Sequence, residues 1–256
     1  MNDIIKSLFD RKSVRVFEDR EIPLEEKRVI LESALQAPSA GNMTLYTILD
    51  ITDPKLKETL SITCDNQPFI AKAPLVLVFC ADYNRWFELF KRHCDEVRNP
   101  DCGDLQLASV DAVIAAHNCV VAAESLGIGS CYIGDITENF ECHRELLRLP
   151  RHVIPVCMLV FGYPVVQQRE REKPTRFSLE DIAFENCYDN SKAMNMEQML
   201  MKRQSIETEE ALHDWVEKFC KRKYNSEFSI EMSRSCKEAL RSFCGEAEQF
   251  NQSLHI

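Results

Sequence analysis

The segment from residue 105 to residue 126 constrains the fold more than any other part of the chain. Its apolar positions are mostly small and occupy much of the circumference of a helix, at Ala108, Ala112, Ala115, Ala116, Cys119, Ala122 and Ala123. A helix that is apolar over most of its surface must be buried, and small side chains allow close approach of a neighbouring backbone. The sequence therefore predicts a long central helix around which the other elements pack.

Shorter elements flank this helix on both sides. Apolar runs predict strands at residues 45–51, 73–80 and 156–161 and an extended segment at 14–17. Helical spacing and proline positions predict helices at 4–9, 23–37, 54–63, 86–94, 138–148, 208–221 and 228–243. Helices and strands alternate through irregular connections, which favours the α+β class. The composition becomes polar beyond residue 190, so we expect a domain at 1–190 and a helical C-terminal extension at 191–256.

Composition narrows the possible function classes. The chain of 256 residues has a net charge of −10, which argues against nucleic acid or an anionic membrane as a partner. Its amino terminus lacks the pattern of a secretion signal, and no apolar run approaches the roughly 20 residues that span a bilayer. The 12 cysteines include no Cys-x-x-Cys pair and are expected to be reduced thiols. We therefore expect a cytoplasmic protein.

Several chemistries lack their usual motifs. The six histidines show no His-x-x-x-His spacing, so the sequence predicts no metal site. There is no Gly-x-Ser-x-Gly motif, no phosphate loop ending in Gly-Lys-Ser/Thr and no obvious pair of carboxylates. We therefore assign no catalytic acid, base or nucleophile.

A basic cluster follows the first predicted helix. Arg11, Lys12 and Arg15 supply three cations within five residues, and Ser13 adds a hydroxyl. A phosphomonoester favours that density of charge-assisted donors. Taken alone, the same residues could be a solvated basic turn. Their meaning depends on the motifs that accompany them.

Three of the seven glycines, Gly127, Gly129 and Gly134, fall within eight residues. Gly127 follows the long helix and suits a left-handed cap, and Gly134 could let a flat ligand lie against the chain. A dinucleotide fingerprint is excluded because Tyr132 occupies its third glycine position and a helix precedes the glycines. A simple helix cap and turn remains the alternative.

The motifs, in their order along the chain, resemble the FMN-dependent nitroreductase family. The resemblance covers residues 11–188 and consists of Arg-x-Ser-x-Arg, Ala-Pro-Ser-Ala-Gly-Asn, Cys-Asp-Asn-Gln-Pro, Ala-Glu-Ser-Leu-Gly-Ile-Gly, Cys-Tyr-Ile-Gly, Phe-Gly-Tyr-Pro and Lys-Pro-x-Arg. It implies a three-layer α-β-α fold with a mostly antiparallel central sheet, assembled as a homodimer with a helical C-terminal extension. Thr44 and Leu45 depart from the Gln-Pro-Trp of many members, and Lys173 and Arg176 are separated by Pro-Thr where some relatives have proline alone.

The resemblance also implies which residues bind the cofactor. The expected FMN contacts are Arg11, Lys12, Ser13, Arg15, Ser39, Asn42, Gln67, Tyr132, Ile133, Gly134, Lys173 and Arg176. Arg11, Ser13 and Arg15 would hold either the phosphate and ribityl chain or the pyrimidine edge of the ring. Lys173 and Arg176 would take phosphate or ribityl oxygens, and Gln67 would bond the flavin ring. Ser39 and Asn42 would come from the partner subunit, and the chain from Tyr132 to Gly134 would lie along one flavin face.

The implied activity is transfer of hydride from NAD(P)H through FMN to a nitroaromatic or quinone acceptor by a ping-pong mechanism. A flavin reductase or a reductive dehalogenase would share every motif, and so would a flavin-binding dimer without turnover. The sequence does not distinguish NADH from NADPH.

Overall fold

The computed structural model describes residues 1–245, apart from the side chain of Ala193. The chain divides into two compact units, one formed by residues 1–171 together with the segment from residue 231, and one formed by residues 172–230. The expected division at residue 190 stays a prediction.

The secondary structure follows the predicted alternation of helices and strands. The strands are β1 (Tyr46–Asp50), β2 (Leu75–Asp82), β3 (Gly129–Ile133) and β4 (Val153–Gly162). The helices are α1 (Asp3–Asp10), α2 (Leu24–Leu35), α3 (Pro54–Thr63), α4 (Phe69–Lys72), α5 (Asn84–His93), α6 (Cys102–Ser125), α7 (Phe140–Leu146), α8 (Val166–Glu170), α9 (Leu179–Ile182), α10 (Asn190–Ala193), α11 (Met196–Gln204), α12 (Glu209–Phe219) and α13 (Glu227–Cys244).

The four strands form one antiparallel sheet in the order β1-β2-β4-β3. β2 and β4 are central and almost entirely buried, which explains their unbroken apolar runs. One face of the sheet packs on α2 and α6, and the opposite face packs on α3 and α4. The expected three-layer α-β-α architecture is confirmed.

Helix α6 lies at the centre of the first unit, as its composition predicts. Its small residues, among them Ala112, Ala116 and Ala123, are fully buried against the sheet and α2. A capping box of Asp101 and Asp104 begins the helix at Cys102, three residues before the predicted start. By length and composition α6 could also cross a membrane, but here it is the core helix of a packed domain.

Strand β3 was not predicted. Two glycines, one at the start of β3 and one at the end of β4, allow the segment 13–17 to pack closely against the sheet. A Cβ at Gly129 would lie 2.5 Å from a Val14 methyl carbon, and one at Gly162 would lie 2.6 Å from the Phe17 ring. The segment 13–17 can therefore cross the ends of β3 and β4 in direct contact. It does so as isolated bridges at Ser13 and Phe17, so the predicted extended conformation forms no full strand.

The second unit is helical and contains α9 to α12. Trp215 and Phe219 stack on α12 with ring centroids 4.8 Å apart, and a short π-helical turn, Cys220–Tyr224, continues the helix. From Glu231 onward, helix α13 belongs to the first unit, where Phe243 is fully buried.

Candidate functional site

The basic cluster lies against β3. Ser13 pairs with Ser130, and the Val14 amide donates to the Ser130 carbonyl at 2.9 Å. Two polar atoms in this cluster, Arg11 Nε and Ser130 Oγ, are buried with no hydrogen-bond partner in the described part of the chain. Buried polar atoms are almost always paired, so this pair of atoms indicates a place for a polar ligand.

The thiol of Cys131 on β3 lies close to side chains of the basic cluster. Burial raises the pKa of Cys131, while the Arg15 cation and a hydrogen bond with Ser13 act in the opposite direction. Arg11 also acts electrostatically on this thiol. The cationic side chains of the Arg-x-Ser-x-Arg motif therefore converge on the amino-terminal half of β3.

Lys12 differs from its neighbours. Its ammonium donates to the carbonyl oxygens of Arg169 and Arg171, and the Arg171 guanidinium donates to the Ser13 carbonyl at 2.8 Å. These bonds fix the cluster to the segment after α8. The contribution of Lys12 to anion binding stays a prediction, because its charge already has structural partners.

The segment with Ser39 and Asn42 forms a compact loop between α2 and β1. Its backbone is left-handed at Gly41, Asn42 and Thr44, with φ of 56°, 57° and 54°. The Ser39 hydroxyl accepts from the Thr44 amide at 3.0 Å. A left-handed threonine is unfavourable, so surrounding contacts must hold the loop in this shape.

Three side chains from other elements supply those contacts. The buried carboxylate of Asp111 on α6 accepts from the Ala40 amide at 3.0 Å and from the Leu45 amide at 3.2 Å. On α5, Arg85 donates to the Thr44 and Tyr46 carbonyls, and the Trp86 indole donates to the Met43 carbonyl at 2.7 Å. The loop is thereby fixed from both α5 and α6.

Gln67 lies in a tight turn between α3 and α4. Asp65 and Asn66 are both left-handed, and the Gln67 amide N–H donates to the Ser61 carbonyl at 2.7 Å. The side-chain nitrogen of Gln67 donates to the Cys64 carbonyl at 2.8 Å. This bond orients the side chain and leaves its carbonyl oxygen as the group that can accept from a ligand.

The segment from Tyr132 to Gly134 presents backbone rather than side chains. Tyr132 packs against the core on the α2 and α6 face, and Ile133 is buried in the core of the opposite face. Gly134 is exposed, and a Cβ there would meet no heavy atom within 4 Å. The open space over Gly134 fits the expectation that a flat group lies there.

Glu138, which was not predicted as a site residue, follows this segment in the turn before α7. The residue is only 5 % exposed. Burial, reinforced by the carboxylates of Asp135, Asp65 and Glu231, raises its pKa to about 7. Glu138 therefore changes charge near neutral pH, where an ordinary glutamate is fully ionised.

Lys173 and Arg176 belong to the second unit and precede α9. Their role in phosphate binding stays a prediction. Sequence reasoning also missed Ser130 and Asp111. Ser130 lies in an unpredicted strand, and Asp111 is an acidic residue among the small apolar residues in the middle of α6, which is the local indication that it has a buried partner.

Comparison with known proteins agrees with this geometry. The family model "Nitroreductase family" matches residues 8–163. The chain is 36% identical over 193 residues to an FMN reductase [NAD(P)H] of Bacillus subtilis, covering 74% of this chain and 76% of that protein. It is 34% identical over 188 residues to an oxygen-insensitive NADPH nitroreductase of Salmonella typhimurium, covering 73% and 75%.

A solved structure gives the same result for the fold. The structure of B. megaterium NfrA2 superposes with a TM-score of 0.76 at 28% identity, covering 95% of this chain and 99% of that one. The matched residues 8–163 include the basic cluster, the 39–45 loop, Gln67 and the Gly134 segment. The chain belongs to the nitroreductase family.

Proposed function

We propose that this protein is an FMN-dependent oxidoreductase that takes hydride from NAD(P)H and reduces a nitroaromatic or quinone acceptor by a ping-pong mechanism. The observation that supports it best is that Arg11 Nε in the basic cluster and Ser130 Oγ, on the residue that pairs with Ser13, are both buried and unpartnered in the described part of the chain. Relatives named FMN reductase and NADPH nitroreductase support the same activity.

The residues present fit an FMN phosphate. Arg11 and Arg15 offer charge-assisted donors, Ser13 offers a hydroxyl, and Ser130 offers a second hydroxyl on β3. A phosphate there would satisfy donors that the protein leaves unpaired, at roughly 1.5–3 kcal/mol for each charge-assisted bond. Lys173 and Arg176 are proposed to complete the phosphate and ribityl contacts.

The flavin ring has its own set of contacts. The Gln67 carbonyl oxygen is oriented to accept from the N–H of a pyrimidine edge, and the open space over Gly134 admits a planar ring. When bound, FMN supplies the hydride acceptor and donor of the reaction. The chain positions the flavin, excludes water from it and supplies hydrogen-bond donors that stabilise negative charge on the ring. No catalytic acid or base is therefore proposed.

A homodimer is part of this proposal. On α6, the side opposite the core exposes Leu107, Val110 and Val113 at 50%, 45% and 44%. Helix α1 exposes an apolar face as well, with Phe9 at 65%. Contiguous apolar surface of this kind is typical of an interface between subunits, and Ser39 and Asn42 are proposed to reach the flavin of the partner.

The proposed location is the cytoplasm. In the described part of the chain the cysteines are free thiols, as expected in a reducing compartment. The long apolar helix α6 is used as a core element.

A second candidate is a flavin reductase in which free FMN is the acceptor. The B. subtilis relative named FMN reductase [NAD(P)H] favours this possibility. Both candidates use the same first half-reaction and differ in the molecule that is reduced afterwards.

Anaerobic spectroscopy tests the proposal. Addition of NADPH or NADH to the FMN-loaded protein should bleach its visible absorption, and a nitroaromatic or quinone should then restore it. Restoration by free FMN alone would favour the flavin reductase. A yellow protein that neither nucleotide bleaches would contradict the oxidoreductase and leave a flavin-binding dimer without turnover.

A further inference from the structure

Two cysteines from distant parts of the sequence meet at one carboxylate. Cys102 is the first residue of α6 and is exposed, and Cys244 is the last residue of α13 and is partly buried. The Asp101 carboxylate caps α6 by accepting from the Cys102 amide at 2.7 Å, and both Asp101 and Cys102 act electrostatically on the Cys244 thiol. Neither cysteine has a role in the proposed reaction.

Packing around the thiols brings the two helix ends together independently of that carboxylate. Cys244 packs into an apolar cluster with Leu105, which lies one helical turn after Cys102 on α6. The preceding residue of α13, Phe243, is fully buried, with its ring 5.3 Å from the His152 ring. The end of α13 and the first turn of α6 therefore pack against the same apolar cluster.

We propose that Cys102 and Cys244 form a reversible intramolecular disulfide when the protein meets a hydroperoxide. The site joins the start of the central helix α6 to the end of the C-terminal helix α13. It is a modification site separate from the proposed flavin contacts.

The two thiols have different roles in this step. Burial, together with Asp101, raises the pKa of Cys244 to about 11, so the exposed Cys102 is the thiol that reacts with peroxide. Its sulfur attacks one peroxide oxygen, the O–O bond breaks, and a sulfenic acid and water form. The Cys244 sulfur then attacks the sulfenic sulfur, the S–O bond breaks, and the oxygen leaves as water with the thiol proton. Two thiols lose two electrons, and hydrogen peroxide becomes two waters.

The disulfide would act on the segment next to Gly134 through α13. Near its start, α13 offers the Glu231 carboxylate and the Ser235 hydroxyl as acceptors for the amides of Asn139 and Phe140, at 3.2 and 3.1 Å. A bond at the far end of α13 would restrict motion of the whole helix. We expect oxidation to raise the thermal unfolding midpoint and to slow hydrogen exchange at these two amides.

Peptide mapping after treatment with hydrogen peroxide tests the proposal. The full-length protein should lose the mass of two hydrogens, yield a linked peptide pair containing Cys102 and Cys244, and return to its original mass with dithiothreitol. Cys102→Ser and Cys244→Ser should abolish the linked pair and the rise in unfolding midpoint. Cys236→Ser, at an exposed position two turns earlier on α13, should leave both unchanged.

Three results would overturn the proposal: over-oxidation of Cys102 without a linked pair, a disulfide that joins either cysteine to a different partner, or a bond between subunits. The test requires no flavin and no turnover. Its failure would therefore leave the proposed oxidoreductase activity intact, and a failure of that activity would leave the disulfide intact.

Discussion

Substitution of Asp111 by asparagine is the strongest test of how the 39–45 loop contributes to cofactor binding. Its two oxygens accept the amides of Ala40 and Leu45, and the residue is 3% exposed. In Asp111→Asn one acceptor oxygen becomes an NH2 group, which faces a backbone N–H and leaves it buried without a partner. Loss of a bond to a charged group costs about 1.5–3 kcal/mol. The unfolding midpoint should therefore fall by roughly 3–12 °C.

The same substitution should weaken FMN binding. Loosening the loop by about 1.5–3 kcal/mol lowers the equilibrium constant for its binding conformation about 10- to 100-fold, which is the largest loss of FMN affinity expected from this change. Titration of FMN into the apoprotein measures this change. Asp104→Asn is a matched control, because Asp104 is also a buried carboxylate on α6 but pairs with Arg98 outside the site. It should lower stability and leave FMN affinity unchanged. If Asp111→Asn lowers stability yet binds FMN like the wild type, the loop is not part of the site.

Three further substitutions test the position of the flavin ring, the ionisation of Glu138 and the proposed subunit interface. Gly134→Val should lose FMN at an overpacking cost of roughly 1–3 kcal/mol with its circular dichroism unchanged, whereas Gly103→Val, with similar open space, should keep full occupancy; equal occupancy would place the flavin elsewhere. Because the raised pKa of Glu138 favours its protonated form, its stabilising effect is present at pH 4 and is lost as pH rises through about 7. The unfolding midpoint of Glu138→Gln minus that of the wild type should therefore be larger at pH 8 than at pH 4. A difference that does not change with pH would refute this. Val113→Glu should give monomers in sedimentation while Val166→Glu, also exposed, should not; a Val113→Glu dimer would exclude that face of α6 from the interface.

Local patterns in the sequence were sufficient for most elements. Helix α3 spans Pro54–Thr63 as predicted, because Asp53 caps it and a proline opens it. Gly127 has φ of 73°, which confirms the left-handed position after α6. In each case the determining residues are neighbours in sequence.

Features that depend on distant partners were missed. Strand β3 is five residues long and begins with a glycine that is needed for contact with Val14, more than one hundred residues away. Gly103 precedes the predicted start of the helix at residue 105 but lies in the first turn of α6, where the capping box overrides its weak helix propensity. The small residue Ala116 is buried within the subunit, so the proposed interface relies on the larger exposed residues of α6.

The same distinction applies to the site. The sequence locates the cations of residues 11–15 in one cluster, but only the fold shows that backbone carbonyls accept hydrogen bonds from Lys12 and that Ser13 pairs with Ser130. Neither fact has a local signature, since both arise from pairing between segments far apart in the chain.

Comparison of FMN with riboflavin is the most direct test of whether the basic cluster binds the FMN phosphate. The two ligands differ only in the phosphate that Arg11 and Ser130 are proposed to bind. Fluorescence titration of the apoprotein should show FMN binding about 10- to 100-fold more tightly than riboflavin. In Arg11→Met this preference should fall sharply, while riboflavin affinity stays close to that of the wild type. Equal affinity of the wild-type protein for the two flavins would contradict the assignment of this cluster as the phosphate site.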